Sequence, residues 1–143
     1  MMNQEPVSLR DDIAIRRVIA EYCFCLDQGR FGDLGRLFTA SGTWEATYGA
    51  ATGPEQIEVF LTGLIPPSPR RRHFVTNIII DPEGEDSARA ISYYLVIRES
   101  ETGPAVSVAG TYEDRLERDA SGAWRFAYRL LKPAILGDMG LMR

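Results

Sequence analysis

His73 is the only histidine in the chain and stands in Arg-His-Phe-Val-Thr-Asn at the start of a strand-like run. Histidine is the side chain suited to moving protons near neutral pH, so His73 is the first candidate acid–base group. A lone histidine satisfied within the fold is the plain alternative. Asp27 falls in the last turn of an expected helix. A carboxylate there faces the negative end of the helix dipole, at a cost of roughly 0.3–1 kcal/mol. A hydrogen bond to His73 would compensate it, fix the imidazole tautomer and stabilise the charged ring. The alternative is an exposed aspartate opening the turn with Gln28 and Gly29. Tyr22 belongs to an apolar helical stripe, either as a core tyrosine or as a donor to a substrate carbonyl. Tyr48 and Tyr94 are read as pocket lining. Alternation along 71–80 puts His73, Val75, Asn77 and Ile79 on one face, from which Asn77 could orient substrate. Trp44, Phe60, Trp124 and Phe126 are expected in the core or pocket wall. Arg129 has two readings, an internal partner of Asp114 or Glu113, or a substrate contact near a pocket mouth. Arg70-Arg71-Arg72 reads as a solvated strand entrance, with an anionic substrate handle as the alternative.

Other chemistries find little support. No glycine-rich phosphate loop and no Gly-x-Ser-x-Gly elbow occurs. One histidine, with Cys23 and Cys25 two apart in a helix, makes a poor metal site and no disulfide. No metal and no cofactor is expected. The net charge of −4 and pI near 5.0 argue against nucleic acid, which needs a basic surface. No apolar run reaches membrane-spanning length, and Met1 to Leu9 lacks the pattern of a signal peptide. The expectation is a cytoplasmic protein without membrane partners. What remains is cofactor-independent proton transfer in an apolar pocket.

The elements that must position these groups follow from periodicity. Leu9 to Gln28 reads as a helix capped by Ser8 and ended by Gly29, with Ile15, Ile19, Tyr22, Cys23 and Leu26 as its stripe. A short helix over Phe31 to Phe38 and a strand over Thr43 to Tyr48 follow. Gly53-Pro54-Glu55 opens a third helix to Leu64, stopped by Pro-Pro-Ser-Pro. Four strands are expected over Arg71–Ile80, Ala88–Arg98, Ala105–Glu117 and Trp124–Leu131. Short turn-rich connections make them an antiparallel meander. Helices first and strands afterwards is an α+β pattern. One domain spans residues 1–143, with 1–8 and 133–143 as tails. The second tail, being moderately apolar, could cover a pocket mouth, join a dimer contact or stay disordered.

Four segments in order, YCFCLDQGRFGDLGRLF (22–38), RHFVTN (72–77), GTYEDRL (110–116) and GAWRFAYR (122–129), resemble the SnoaL-like branch of the NTF2-like superfamily. The resemblance implies a cone-shaped α+β fold, with N-terminal helices packed on a curved antiparallel sheet enclosing a pocket. Its members include scytalone and bile-acid dehydratases, polyketide cyclases, steroid isomerases and the largely structural β subunits of ring-hydroxylating dioxygenases. The dehydratases imply a pairing of His73 with Asp27 and a catalytic role for Tyr22, with Tyr48 as a further pocket tyrosine. Tyr94 stands where those enzymes usually place a histidine or aspartate, a departure from their pattern. Arg129 matches a common arginine of the last strand. The function implied is a lyase of the dehydratase type, or a related isomerase or cyclase, acting on a small hydrophobic cyclic carbonyl or hydroxy compound. A binding or assembly module like the dioxygenase β subunits is the alternative, and a homodimer suits both.

Overall fold

The computed structural model describes residues 5–142. Its first helix, α1, spans Leu9–Asp27. The Ser8 hydroxyl accepts from the Asp11 backbone N–H at 3.1 Å, and Asp12 pairs with Arg16 one turn on. The expected stripe is buried, joined by Val18 and Cys25. Gly29 ends the helix at φ +68°, a conformation that costs glycine nothing. Both cysteines are free and buried.

A one-turn helix α2, Phe31–Gly35, is shorter than its pattern suggests, because Phe38 already opens the first strand. Strand β1 runs Phe38–Ala46 and returns through Thr47-Tyr48 into β2, Gly49–Thr52. Tyr48 therefore lies in a hairpin turn and not on a strand. Neither turn residue is a usual hairpin signal, which is why the sequence hides the turn. Gly49 follows at φ +152°, and a Cβ there would overlap the ring of Phe60. Helix α3, Pro54–Leu64, buries Ile57 and Leu61.

The four long strands are β3 (Arg71–Gly84), β4 (Ser87–Arg98), β5 (Ala105–Arg118) and β6 (Trp124–Leu136). They form the expected antiparallel meander, and β1 joins β6 in parallel, giving the order β2-β1-β6-β5-β4-β3. Strand β4 alternates cleanly. Ala88, Ala90, Ser92, Tyr94 and Val96 face the helices, and Ile91, Tyr93 and Leu95 face outward. The core lies between that inner face and α1 and α3, filled by Ile15, Ile19, Leu34, Ile57, Leu61, Leu116 and Phe126. The architecture is α+β, helices followed by one curved, unclosed sheet.

One expectation about the sheet is corrected. The β3–β4 pairing slips between Thr76 and Ile79, and Asn77 is the bulged residue, at φ +57° and exposed. One extra residue swaps faces, so Ile78 and Ile80 turn inward and Asn77 and Ile79 do not. The segment 133–142 is not simply a tail. Pro133–Leu136 extends β6, and the chain then crosses back to Leu64, where the Met142 N–H donates to the Leu64 carbonyl at 2.9 Å.

Candidate active site

Asp27, at the end of α1, meets His73, near the start of β3. The Asp27 Oδ1 lies 2.6 Å from His73 Nδ1, and Oδ2 accepts the His73 backbone N–H at 3.0 Å. The side chains are only 10% and 8% exposed. Both oxygens of a carboxylate at an unfavourable helix end thus gain donors from one residue. With the neutral ring donating Nδ1–H to Asp27, Nε2 carries the lone pair that can accept a proton. It forms no hydrogen bond among the described residues.

His73, Tyr22, Trp44, Tyr48 and Tyr94 line one small cavity of about 50 Å³. The Trp44 indole N–H donates to the Tyr22 hydroxyl at 2.7 Å. Tyr22 is thereby fixed with its own proton still to give. Burial raises its pKa well above the ordinary tyrosine range, so it stays a donor. Burial pushes Tyr48 up to about 12 and raises Tyr94 as well. Tyr94 stacks on Tyr112 with centroids 4.2 Å apart. Phe60 is outside the cavity lining; it packs on Trp44 at 5.3 Å and buttresses that wall.

Arg129 is fully buried but does not reach the cavity. It forms a two-bond pair with Asp114 at 2.8 and 2.9 Å, and its guanidinium lies 4.2 Å from the Tyr22 ring centroid and 3.7 Å from that of Tyr112. Its role is to seat the tyrosines from below, so the reading of it as a substrate contact is corrected. Asn77, outside on its bulge, is likewise absent from the site.

Arg71, in the cluster read as a solvated strand entrance with an anionic substrate handle as the alternative, is 7% exposed and lines the cavity beside His73. Its position two residues before His73 was the available signal. Sequence reasoning missed Ser107, buried on β5, and Met139 and Leu141, which join the cavity lining from the C-terminal segment. Covering the mouth was one of three roles left open for that segment. Among the described residues, no group of three or more His, Cys, Asp or Glu could hold a metal ion, and no helix is long and apolar enough to cross a membrane.

The arrangement is a buried histidine–carboxylate pair facing phenol donors in a small chamber, and its scaffold is an NTF2-like fold. A SnoaL-like domain model matches residues 7–130, and the chain belongs to that family. No curated protein matches it. Among solved structures it is similar to Rv3472, a Mycobacterium tuberculosis protein of unknown function. They share 25% identity over 87% of this chain and 72% of that one, with a TM-score of 0.80. A proposed scytalone dehydratase from Novosphingobium aromaticivorans is 27% identical over 91% of this chain and 88% of that one, with a TM-score of 0.78. The β subunit of a proposed aromatic-ring-hydroxylating dioxygenase from the same organism shares the fold at 21% identity, over 87% and 89%, with a TM-score of 0.72.

Proposed function

We propose that the chain is a cofactor-independent lyase of the dehydratase type, or a related isomerase or cyclase, acting on a small cyclic carbonyl or hydroxy compound. The observation that carries this reading is the 2.6 Å contact between Asp27 and His73 at the wall of a tyrosine-lined cavity. Similarity to a proposed scytalone dehydratase supports the same class. In this reading His73 Nε2 takes a proton next to the substrate carbonyl. Asp27 stabilises the imidazolium, and the Tyr22 hydroxyl donates to the developing enolate oxygen. The imidazolium then protonates the departing hydroxide, releasing water. A ring compound exceeds the 50 Å³ available, so the 137–142 segment swings aside on entry. The protein acts as a single domain in the cytoplasm.

The test is incubation with 3-hydroxycyclohexanone and bulkier hydroxy-ketones, following enone absorbance. Turnover lost in His73→Ala with the fold retained supports the proposal; equal rates in both proteins contradict it.

One observation favours a second reading. The outer sheet face exposes Phe74, Ile79, Ile91, Tyr93, Leu95 and Val106, and a contiguous apolar face is a feature of interaction surfaces. That face suits a homodimer, or an assembly module comparable to the dioxygenase β subunit. A larger iron-containing protein co-purifying with the chain would favour assembly over catalysis.

A further inference from the structure

We infer that Arg71 is the anion-recognising group of the cavity and that the ligand it admits carries a carboxylate. The inference rests on the reading of the cavity as a ligand chamber and narrows the class of ligand.

Arg71 is a buried cation without a dedicated counter-ion. Its Nη1 donates to the Pro66 carbonyl at 3.0 Å, and its Nη2 reaches the Gly140 carbonyl at a long 3.3 Å. Its Nε is buried and has no partner among the described residues. No carboxylate lies within salt-bridge distance of it among those residues. Arg70 pairs with Glu99 and Arg98 with Asp138, while the exposed Arg72 donates to the Arg71 carbonyl. Asp27 is the attractive charge felt by Arg71, but both its oxygens already serve His73, and Arg98 opposes it. Burial accordingly disfavours the charged guanidinium. A desolvated guanidinium that lines the cavity, with an unpartnered Nε–H and a weakly held Nη2, suits a bidentate carboxylate once the Gly140 carbonyl gives way.

The Gly140 carbonyl belongs to the segment whose Met139 and Leu141 line the cavity. A neutral carbonyl at 3.3 Å is a weak occupant, and ligand oxygens would displace it as the segment moves aside. Arg71 and His73 are two residues apart on one strand and line the same cavity, so their Cα atoms are roughly 7 Å apart. A carboxylate held by Arg71 therefore sets carbons a few bonds away beside the imidazole. Hydroxy- and oxo-acids on a compact ring have that shape, and neutral polyketides do not use the handle.

The test uses matched acid and amide probes: benzoate with benzamide, and cyclohexanecarboxylate with cyclohexanecarboxamide. Binding is followed by NMR through the Arg71 Nε–H and His73 ring signals. At least one acid should bind tenfold or more tightly than its amide. Arg71→Met should remove that preference, so that acid and amide bind alike, and Arg71→Lys should restore part of it. Equal binding of acid and amide overturns the inference. So does an absence of acid binding at millimolar concentration, or a preference that survives in Arg71→Met. The wild-type comparison stands even if a variant misfolds. The preference should persist in His73→Asn, so failure of the proton-transfer reading is distinguishable from failure of this one.

Discussion

Asp27 and His73 are joined twice, by the imidazole Nδ1 at 2.6 Å and by the histidine's own backbone N–H at 3.0 Å. The backbone bond fixes where the carboxylate sits, and the ring bond fixes which nitrogen holds the proton. In Asp27→Asn the amide can present its N–H₂ to the ring, favouring the opposite tautomer. Imidazole ¹⁵N shifts should show Nδ1–H in the wild type and a mixed or Nε2–H ring in the variant. Turnover should fall about 10²–10⁴-fold. An unchanged ring signal would detach the aspartate from any catalytic role.

Tyr22→Phe separates chemistry from packing. The ring can keep its place over Arg129, but the hydroxyl goes and the buried Trp44 N–H loses its acceptor. The expected stability loss is about 1–3 kcal/mol by urea unfolding. If the hydroxyl steadies a developing enolate, kcat should also drop about 10²–10³-fold. A stability loss with full kcat would leave Tyr22 as a core tyrosine.

The Arg129–Asp114 pair is wholly buried beneath the tyrosines. Asp114→Ala strands the guanidinium and should cost about 3–5 kcal/mol. Adding Arg129→Leu removes the stranded charge, so the double variant should regain part of that loss. Urea unfolding of the three proteins decides; a double variant weaker than Asp114→Ala would mean that Arg129 stabilises by packing alone.

Asp11 ties α1 to the far end of the sheet. The Trp124 indole donates to it at 3.1 Å and Arg118 at 3.0 Å. The Trp124 hydrogen bond, against the opposing effect of burial and with help from Ser8 and Arg118, lowers its carboxyl below the usual range. The folded state thus binds the proton less tightly than the unfolded chain. Its contribution is full above the ordinary carboxylate pKa and disappears as the pH falls through the lowered one. Asp11→Asn should be less stable than wild type by about 1 kcal/mol near neutrality. The gap should close in acid. A gap independent of pH would contradict the ionic part of this contact.

Local pattern carried α1, α3 and the meander, because each rests on periodicity and turn residues. The helix-end position of Asp27 only raised the need for a partner, and the family resemblance is what pointed to His73. The parallel docking of β1 on β6 depends on residues far apart in the chain, and no short-range signal announces it. Asn77 was misplaced because a single bulged residue reverses the inside–outside alternation after it. Arg129 pairs with Asp114, one of the two internal partners that the sequence offered for it. The burial of Arg71 goes against the rule that charges stay wet, and it follows from the Pro66 and Gly140 carbonyls, partners brought to it only by the folded chain.

The central claim is that His73 is a base held ready by Asp27. Its most direct test is exchange of the carbonyl α-protons of bound cyclic ketones in D₂O, comparing wild type with His73→Asn. Asparagine can place an amide N–H near the position of Nδ1 and keep the bond to Asp27, but it offers no base. The account predicts protein-catalysed exchange in the wild type and none above background in the variant. Equal exchange in the two proteins would contradict it.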